Sequence, residues 1–236
     1  MTTGAGGLHM APEWANRLRA AGLDSFDALY GTERGEEAHR HDRSWTQRVE
    51  LAGGEVLYLK CDVFTTFKQI VTDLLHLRRP QPLSEKERQG IERVSALGVA
   101  TARPVAWGQR RRLGLPHRGV LAMTELSGGR VDDYLDARPP AEQRRAVLAA
   151  VGRTLRTLYG AGLSWPDLRV KHVYVDPPGK VGLLDLERLE PRSDAPRRMP
   201  RQVRRFCREL REHGADDGDT DALLDGFGRP DGLREL

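Results

Sequence analysis

Apolar residues recur along the chain in two different periods, and the switch between them separates a strand-rich half from a helical half. Trp14, Leu18, Leu23, Phe26 and Leu29 fall on one face between Pro12 and Gly31, which predicts a single amphipathic helix over residues 12–30. Residues 32–43 are charged and histidine-rich and read as a loop. Trp45, Val49 and Leu51 precede Gly53-Gly54, and Val56 to Leu59 follow, so two strands join through a glycine turn with Lys60 closing the second. Residues 61–80 mix apolar and basic positions in a helix-like segment stopped by Pro80 and Pro82. Ser84 with Glu87 reads as a capping box opening a helix with Ile91, Val94 and Leu97 on its apolar face, ended by Gly98. Val99–Trp107 and Gly119–Leu126 read as strands, with the basic run RRRLGLPHR as their turn.

Past Gly128-Gly129 the period becomes helical. A short helix over 130–137 precedes a long one over 141–161, carrying Val147, Leu148, Val151, Leu155 and Leu158 on one face. Short strands over 172–175 and 181–184 flank a Pro-Pro-Gly turn, and a basic helix covers 199–213. The Asp- and Gly-rich tail from 214 is expected to be only partly ordered. The expected organisation is therefore α+β. A helical extension (1–43) precedes a small β-rich lobe (44–126), a mainly helical lobe (127–213) and a tail (214–236).

Composition narrows this picture. With 236 residues, 39% hydrophobic and 31% charged, the chain is globular in type and long enough for a sizeable core. Cys61 and Cys207 are too few for a disulfide framework and have no metal-site spacing, so a reducing compartment, the cytoplasm, is expected. The N-terminus lacks a basic segment followed by an apolar one, and no apolar run is long enough to span a bilayer. His39 and His41 lack further ligands nearby and read as solvated rather than metal-binding. The net charge is +4, with basic clusters at Arg110–Arg112 and at Arg197, Arg198, Arg201, Arg204, Arg205, Arg208 and Arg211. These clusters are either solvated faces or sites for anionic partners. Nucleic acid is not expected, because few aromatics interleave with the arginines and no binding motif accompanies them.

The most informative stretch runs from Asp167 to Asp185, with His172 five residues after the first aspartate. Two short strands and their turn separate His172 from Asp185, which brings both ends of the segment to one cleft. Phosphoryl transfer needs one carboxylate to orient the attacking hydroxyl and another to hold the magnesium that bridges the phosphates. Taken alone, both aspartates could equally cap turns.

The stretches WPDLRVKHVYVD and LLDLE resemble the catalytic and metal-binding loops of the protein-kinase-like superfamily. Within it they are most similar to the bacterial lipopolysaccharide core kinases, which phosphorylate Kdo or heptose. His172, where protein kinases carry Asn, points to the heptose-kinase branch. The resemblance covers about residues 23–212 and implies a two-lobed kinase-like fold using ATP and Mg²⁺. Position by position, it implies Asp167 as catalytic base and Arg169 as a contact to the transferring phosphate. His172 and Asp185 become the metal ligands, and Lys60 of LYLK the α- and β-phosphate lysine. Glu87 becomes the partner of that lysine, with Glu85 and Glu92 as competitors. Met123, Glu125 and Leu126 fall in the connection that holds adenine. The chain departs from the pattern in having Gly53-Gly54 instead of GxGxxG and Trp165-Pro166 instead of His-Arg before the aspartate. No full activation loop follows Asp185. The implied acceptor is an inner-core sugar of lipopolysaccharide, with the basic helix over 197–211 facing an anionic inner-membrane surface as a peripheral enzyme. Two alternatives stay open: a small-molecule or protein kinase, and a pseudokinase scaffold.

Overall fold

A computed structural model describes residues 2–4, 7–32, 35–41, 44–63, 67–75, 79–176 and 179–228. In chain order its elements are β1 (Thr2–Gly4), β2 (Leu8–Met10), α1 (Ala15–Ala20), α2 (Phe26–Tyr30), β3 (Glu36–His41), β4 (Ser44–Glu50) and β5 (Val56–Asp62). Next come α3 (Phe67–Leu75), α4 (Leu83–Ala96), β6 (Ala100–Thr101), β7 (Pro104–Arg112), β8 (Leu115–Thr124), β9 (Gly129–Arg130), α5 (Val131–Asp136) and α6 (Ala141–Gly160). The remaining elements are β10 (Leu163–Ser164), β11 (Val173–Asp176), β12 (Lys180–Leu183), β13 (Glu190–Pro191), α7 (Ala195–Glu212) and α8 (Asp217–Phe227). These form two compact units, residues 1–89 with 102–125, and residues 90–101 with 126–236.

The first unit is built on a seven-stranded antiparallel sheet in the order β1-β2-β7-β8-β5-β4-β3. Its core joins Leu18, Leu23, Phe26 and Leu29 to Leu57, Leu59, Val105 and Val120. The expected single helix over 12–30 is a 3-10 turn followed by two helices. Gly22 takes a left-handed conformation (φ 66°) just after α1, and Ser25 accepts the amide of Ala28 to cap α2. The periodicity survives the break because Leu18, Leu23, Phe26 and Leu29 still enter one core. The expected loop over 32–43 contains β3, an edge strand whose exposed, largely charged side chains at 36–40 hid it from an apolar pattern. His39 and His41 both fall on this strand.

Three other boundaries move. β5 runs two residues beyond Lys60, so the lysine lies inside the strand. α4 starts at Leu83, and its first turn is held by Asp62 rather than by the expected Ser84–Glu87 box: Asp62 Oδ2 takes the Ser84 amide at 2.6 Å. The basic run expected as a turn is mostly strand. β7 and β8 extend through it, leaving only Leu113 and Gly114 between them.

The second unit is mainly helical. A four-stranded sheet, β6-β12-β11-β9, is accompanied by the small pair β10-β13. β11 and β12 pair from Val173↔Leu183 to Asp176↔Lys180, while Pro177-Pro178 of the expected turn lie outside the described residues. α7 starts at Ala195, earlier than expected, with Pro196 in its first turn, where a missing amide costs nothing. Residues 217–227, expected to belong to a partly ordered tail, form α8. Asp216 and Asp219 make a capping box, and Leu223, Leu224 and Phe227 are buried.

Candidate active site

In the first unit, sheet pairing places Lys60 between Thr46 and Leu121 on neighbouring strands. Its Nζ lies 3.3 Å from Oε2 of Glu87 on α4, and both side chains are largely buried. Glu85 is engaged with Arg88 at 2.7 Å, and Glu92 is exposed. Of the three candidate carboxylates, Glu87 is the one that meets Lys60. Such a pair holds the ammonium at a defined point, and an ammonium has three protons to donate. Met123 sits near the end of β8 opposite Tyr58, and Glu125 accepts from the Tyr58 hydroxyl at 3.2 Å. The division between the units falls between Glu125 and Leu126. Leu126 covers Gly182 so closely that a Cβ there would lie 2.9 Å from its Cδ2.

In the second unit the loop between β10 and β11 and the segment after β12 bring Asp167, His172, Asp185 and Arg188 together. His172 Nδ1 lies 2.8 Å from the Asp167 carbonyl, which fixes the proton on Nδ1. Its Nε2 then faces Oδ2 of Asp185 at 3.2 Å. A neutral imidazole would present a lone pair to a carboxylate there, which is favourable only with a proton or a cation between them. Of the two groups, the Asp185 carboxylate offers the hard oxygen that would suit Mg²⁺. Imidazole is the less usual of the two ligand types. Asp185 itself adopts a left-handed backbone (φ 58°), and its carbonyl accepts from Nε1 of the buried Trp165 at 3.2 Å. Trp165 therefore serves as an internal prop for the backbone at Asp185.

Asp167 is half-buried, and its Oδ1 accepts from Arg188 Nη1 at 3.0 Å. Burial pushes its carboxyl above the usual range. Arg188 opposes this, Asp185 and Glu187 reinforce it, and His172 opposes it weakly. A carboxylate so placed is a better proton acceptor than an exposed one. Arg188 is absent from the residues that the sequence singles out. It lies three residues past Asp185, but one arginine among many carries no mark of its own.

Arg169 is engaged by α7. Its Nε lies 2.6 Å from Glu209 of α7, and Glu209 also accepts the Val170 amide. Arg205 of α7 donates to the carbonyls of Pro166 and Leu168 on either side of Asp167. Arg205 and Glu209 of the basic helix thus hold the loop that carries the aspartate. The exposed positions Arg197, Arg201, Arg204, Arg208 and Arg211 follow a helical repeat along the face opposite the buried one.

The first unit thus carries the lysine–glutamate pair and the second the Asp–His–Asp constellation. The solved structure titled "WaaP in complex with acyl carrier protein" has the same fold, with a TM-score of 0.72, 22% identity, and coverage of 97% of this chain and 90% of that one. Residues 24–227 match the family model for the Lipopolysaccharide kinase (Kdo/WaaP) family, and the chain belongs to that family of kinases. Similar curated proteins are each named lipopolysaccharide core heptose(I) kinase WaaP. One from Escherichia coli K12 is 28% identical over 65% of this chain and 62% of its own length. A second from Escherichia coli is 28% identical over 75% of this chain and 71% of its own. One from Pseudomonas aeruginosa is 26% identical over 75% and 70% respectively. The chain thus spans slightly under two thirds of the first of these relatives. Among the described residues, no helix is long and apolar enough to cross a membrane.

Proposed function

We propose that the protein transfers the γ-phosphate of ATP to a hydroxyl of an inner-core sugar of lipopolysaccharide, a heptose or Kdo. The observation that carries this reading is the convergence of Asp167, His172 and Asp185, together with the raised carboxyl of Asp167. Asp167 orients the acceptor hydroxyl and takes its proton. His172 Nε2 and the Asp185 carboxylate would hold Mg²⁺, which would supply charge neutralisation on the phosphates. Lys60, kept in place by Glu87, binds the α- and β-phosphates. Met123, Glu125 and Leu126 line the adenine. Arg188 pairs with Asp167 and favours its carboxylate form. Arg169 works first as an anchor on Glu209 and second as positive charge for the transferring phosphate. The names of the similar heptose(I) kinases support heptose as the acceptor. The exposed arginine stripe of α7 supports attraction to an anionic inner-membrane surface.

The test is phosphate transfer from labelled ATP to purified core lipopolysaccharide, with mass spectrometry locating the added phosphate. Transfer to a heptose or Kdo that Asp167→Asn abolishes is the expected result. Absence of transfer to every core acceptor, with ATP still bound, would sink the reading and favour a scaffold.

A further inference from the structure

We propose that the tip of the β7–β8 hairpin and the C-terminal end of α3 form a docking surface that inserts into an anionic phospholipid bilayer. Among the described residues, the exposed large hydrophobic side chains are Leu74 (55% exposed), Leu75 (77%), Leu113 (95%) and Leu115 (43%). All four belong to the first unit and to just two segments. Arg111 ties the hairpin tip to Pro80, downstream of α3. Its Nη1 donates to the Gly114 carbonyl at 2.7 Å and its Nη2 to the Pro80 carbonyl at 3.0 Å, on the chain leaving α3.

The surroundings are basic. Residues 110–118 hold four arginines and one histidine and no acidic residue, and residues 74–80 also hold no acidic residue. Arg110 is engaged by Asp27, and Arg118 lies over the Tyr30 ring. Arg79 and Arg112 are exposed in the same two segments as the leucines. Leucines accompanied by arginines match the boundary where acyl chains meet phosphate headgroups. The shape matters too. A two-residue tip flanked by arginines offers little flat apolar area for a protein partner, but it suits insertion between lipids.

The turn itself points the same way. Leu113 and Gly114 both have positive φ (51° and 77°), the conformation of a two-residue type I′ turn. Asn, Asp or Gly suits the first position, whereas leucine strains it. Here the strained residue is also the most exposed of the four leucines, so packing among the described residues does not compensate for it. Insertion into lipid would.

The proposal rests on the reading of a lipid-anchored acceptor, but vesicle binding is measured with neither ATP nor acceptor, so the two fail separately. The full chain is floated with vesicles of phosphatidylcholine alone and of phosphatidylcholine with phosphatidylglycerol. Binding to the anionic vesicles only is expected. Leu113→Asn fits the turn better, so its melting temperature should hold or rise while its vesicle partition falls about tenfold. Leu74→Ser with Leu75→Ser should lower partition similarly. A fluorophore on Leu113→Cys should shift to the blue on adding anionic vesicles, because the native cysteines are buried and stay unlabelled. Three results would overturn the proposal. One is a wild-type protein that ignores anionic vesicles. Another is Leu113→Asn binding them like wild type. The third is a concentration-dependent dimer that Leu113→Asn abolishes while vesicle binding is unchanged, which would make the surface a contact between copies.

Discussion

At the residue scale, Asp167, the proposed base, carries a measurable cost. Its carboxyl is raised mainly by burial, so the folded protein binds that proton more tightly than the unfolded chain. Its contribution to stability is therefore present below the unfolded pKa and lost as pH rises through the folded one. Asp167→Asn should lower transfer by about 10²–10⁴-fold without lowering the melting temperature at neutral pH. With Asp167 as the proposed base the active form is the carboxylate, so activity should rise with pH through this group. Arg188 favours the carboxylate, and Arg188→Leu should move the acid limb of the kcat/KM profile to higher pH. An unmoved limb would remove Arg188 from the site. The two thiols behave as core residues: burial pushes Cys61 up to about 12 and Cys207 up to about 11, so both stay protonated near neutral pH. The aspartates and Lys60 were legible as candidates because each sits in a short, distinctive string. Arg188 and Arg205 were not, because their roles depend on which carboxylate or carbonyl the fold brings to them.

At the scale of elements, α8 departs furthest from its sequence pattern. Its Asp- and Gly-rich sequence resembles a disordered tail, yet Gly226 and Gly152 permit close approach of two helices. A Cβ on Gly152 of α6 would lie 2.0 Å from the Leu223 carbonyl, and one on Gly226 of α8 would lie 2.1 Å from the Ala149 carbonyl. Arg144 of α6 also pairs with Asp219 at 2.9 Å, with that carboxylate fully buried. Gly152→Ala or Gly226→Ala should each cost about 1–3 kcal/mol, read as a lower urea midpoint. α7 shows the converse. Its charge resembles a solvated face, but Arg205 and Glu209 hold the loop around Asp167 and Arg169. Arg205→Ala should reduce kcat about tenfold to a hundredfold while leaving the chain folded, because a displaced base misses its proton. A loss of activity matched by an equal loss of folded protein would reduce Arg205 to a packing role.

For the whole molecule, phosphoryl transfer of this kind depends on a divalent cation. Chelation should abolish transfer and added Mg²⁺ restore it, while circular dichroism stays unchanged, since both units are cored by apolar side chains. Asp185→Asn should raise the Mg²⁺ concentration needed for half-maximal activity, a shift that a turn-capping aspartate would not produce. Of the larger organisation, the α+β class and the order of a sheet-rich part followed by a helical part could be read directly. The division of the chain could be read only in outline. The first 43 residues belong to the sheet-rich unit, because β1 and β2 extend its sheet beside β7 and Leu8, Leu18 and Phe26 enter its core.

The sequence by itself determined what local strings and periodicity encode: most element types, the apolar faces, and the candidates Lys60, Asp167, His172 and Asp185. Tertiary structure alone decided which glutamate meets Lys60, which arginine reaches Asp167, and which arginine of α7 binds the loop beside it. It also decided that two exposed leucines crown a basic hairpin. The physical reason is common to all of these. Burial and hydrogen bonding depend on distances between residues far apart in the chain, and a charged or glycine-rich segment has no period that announces its partner.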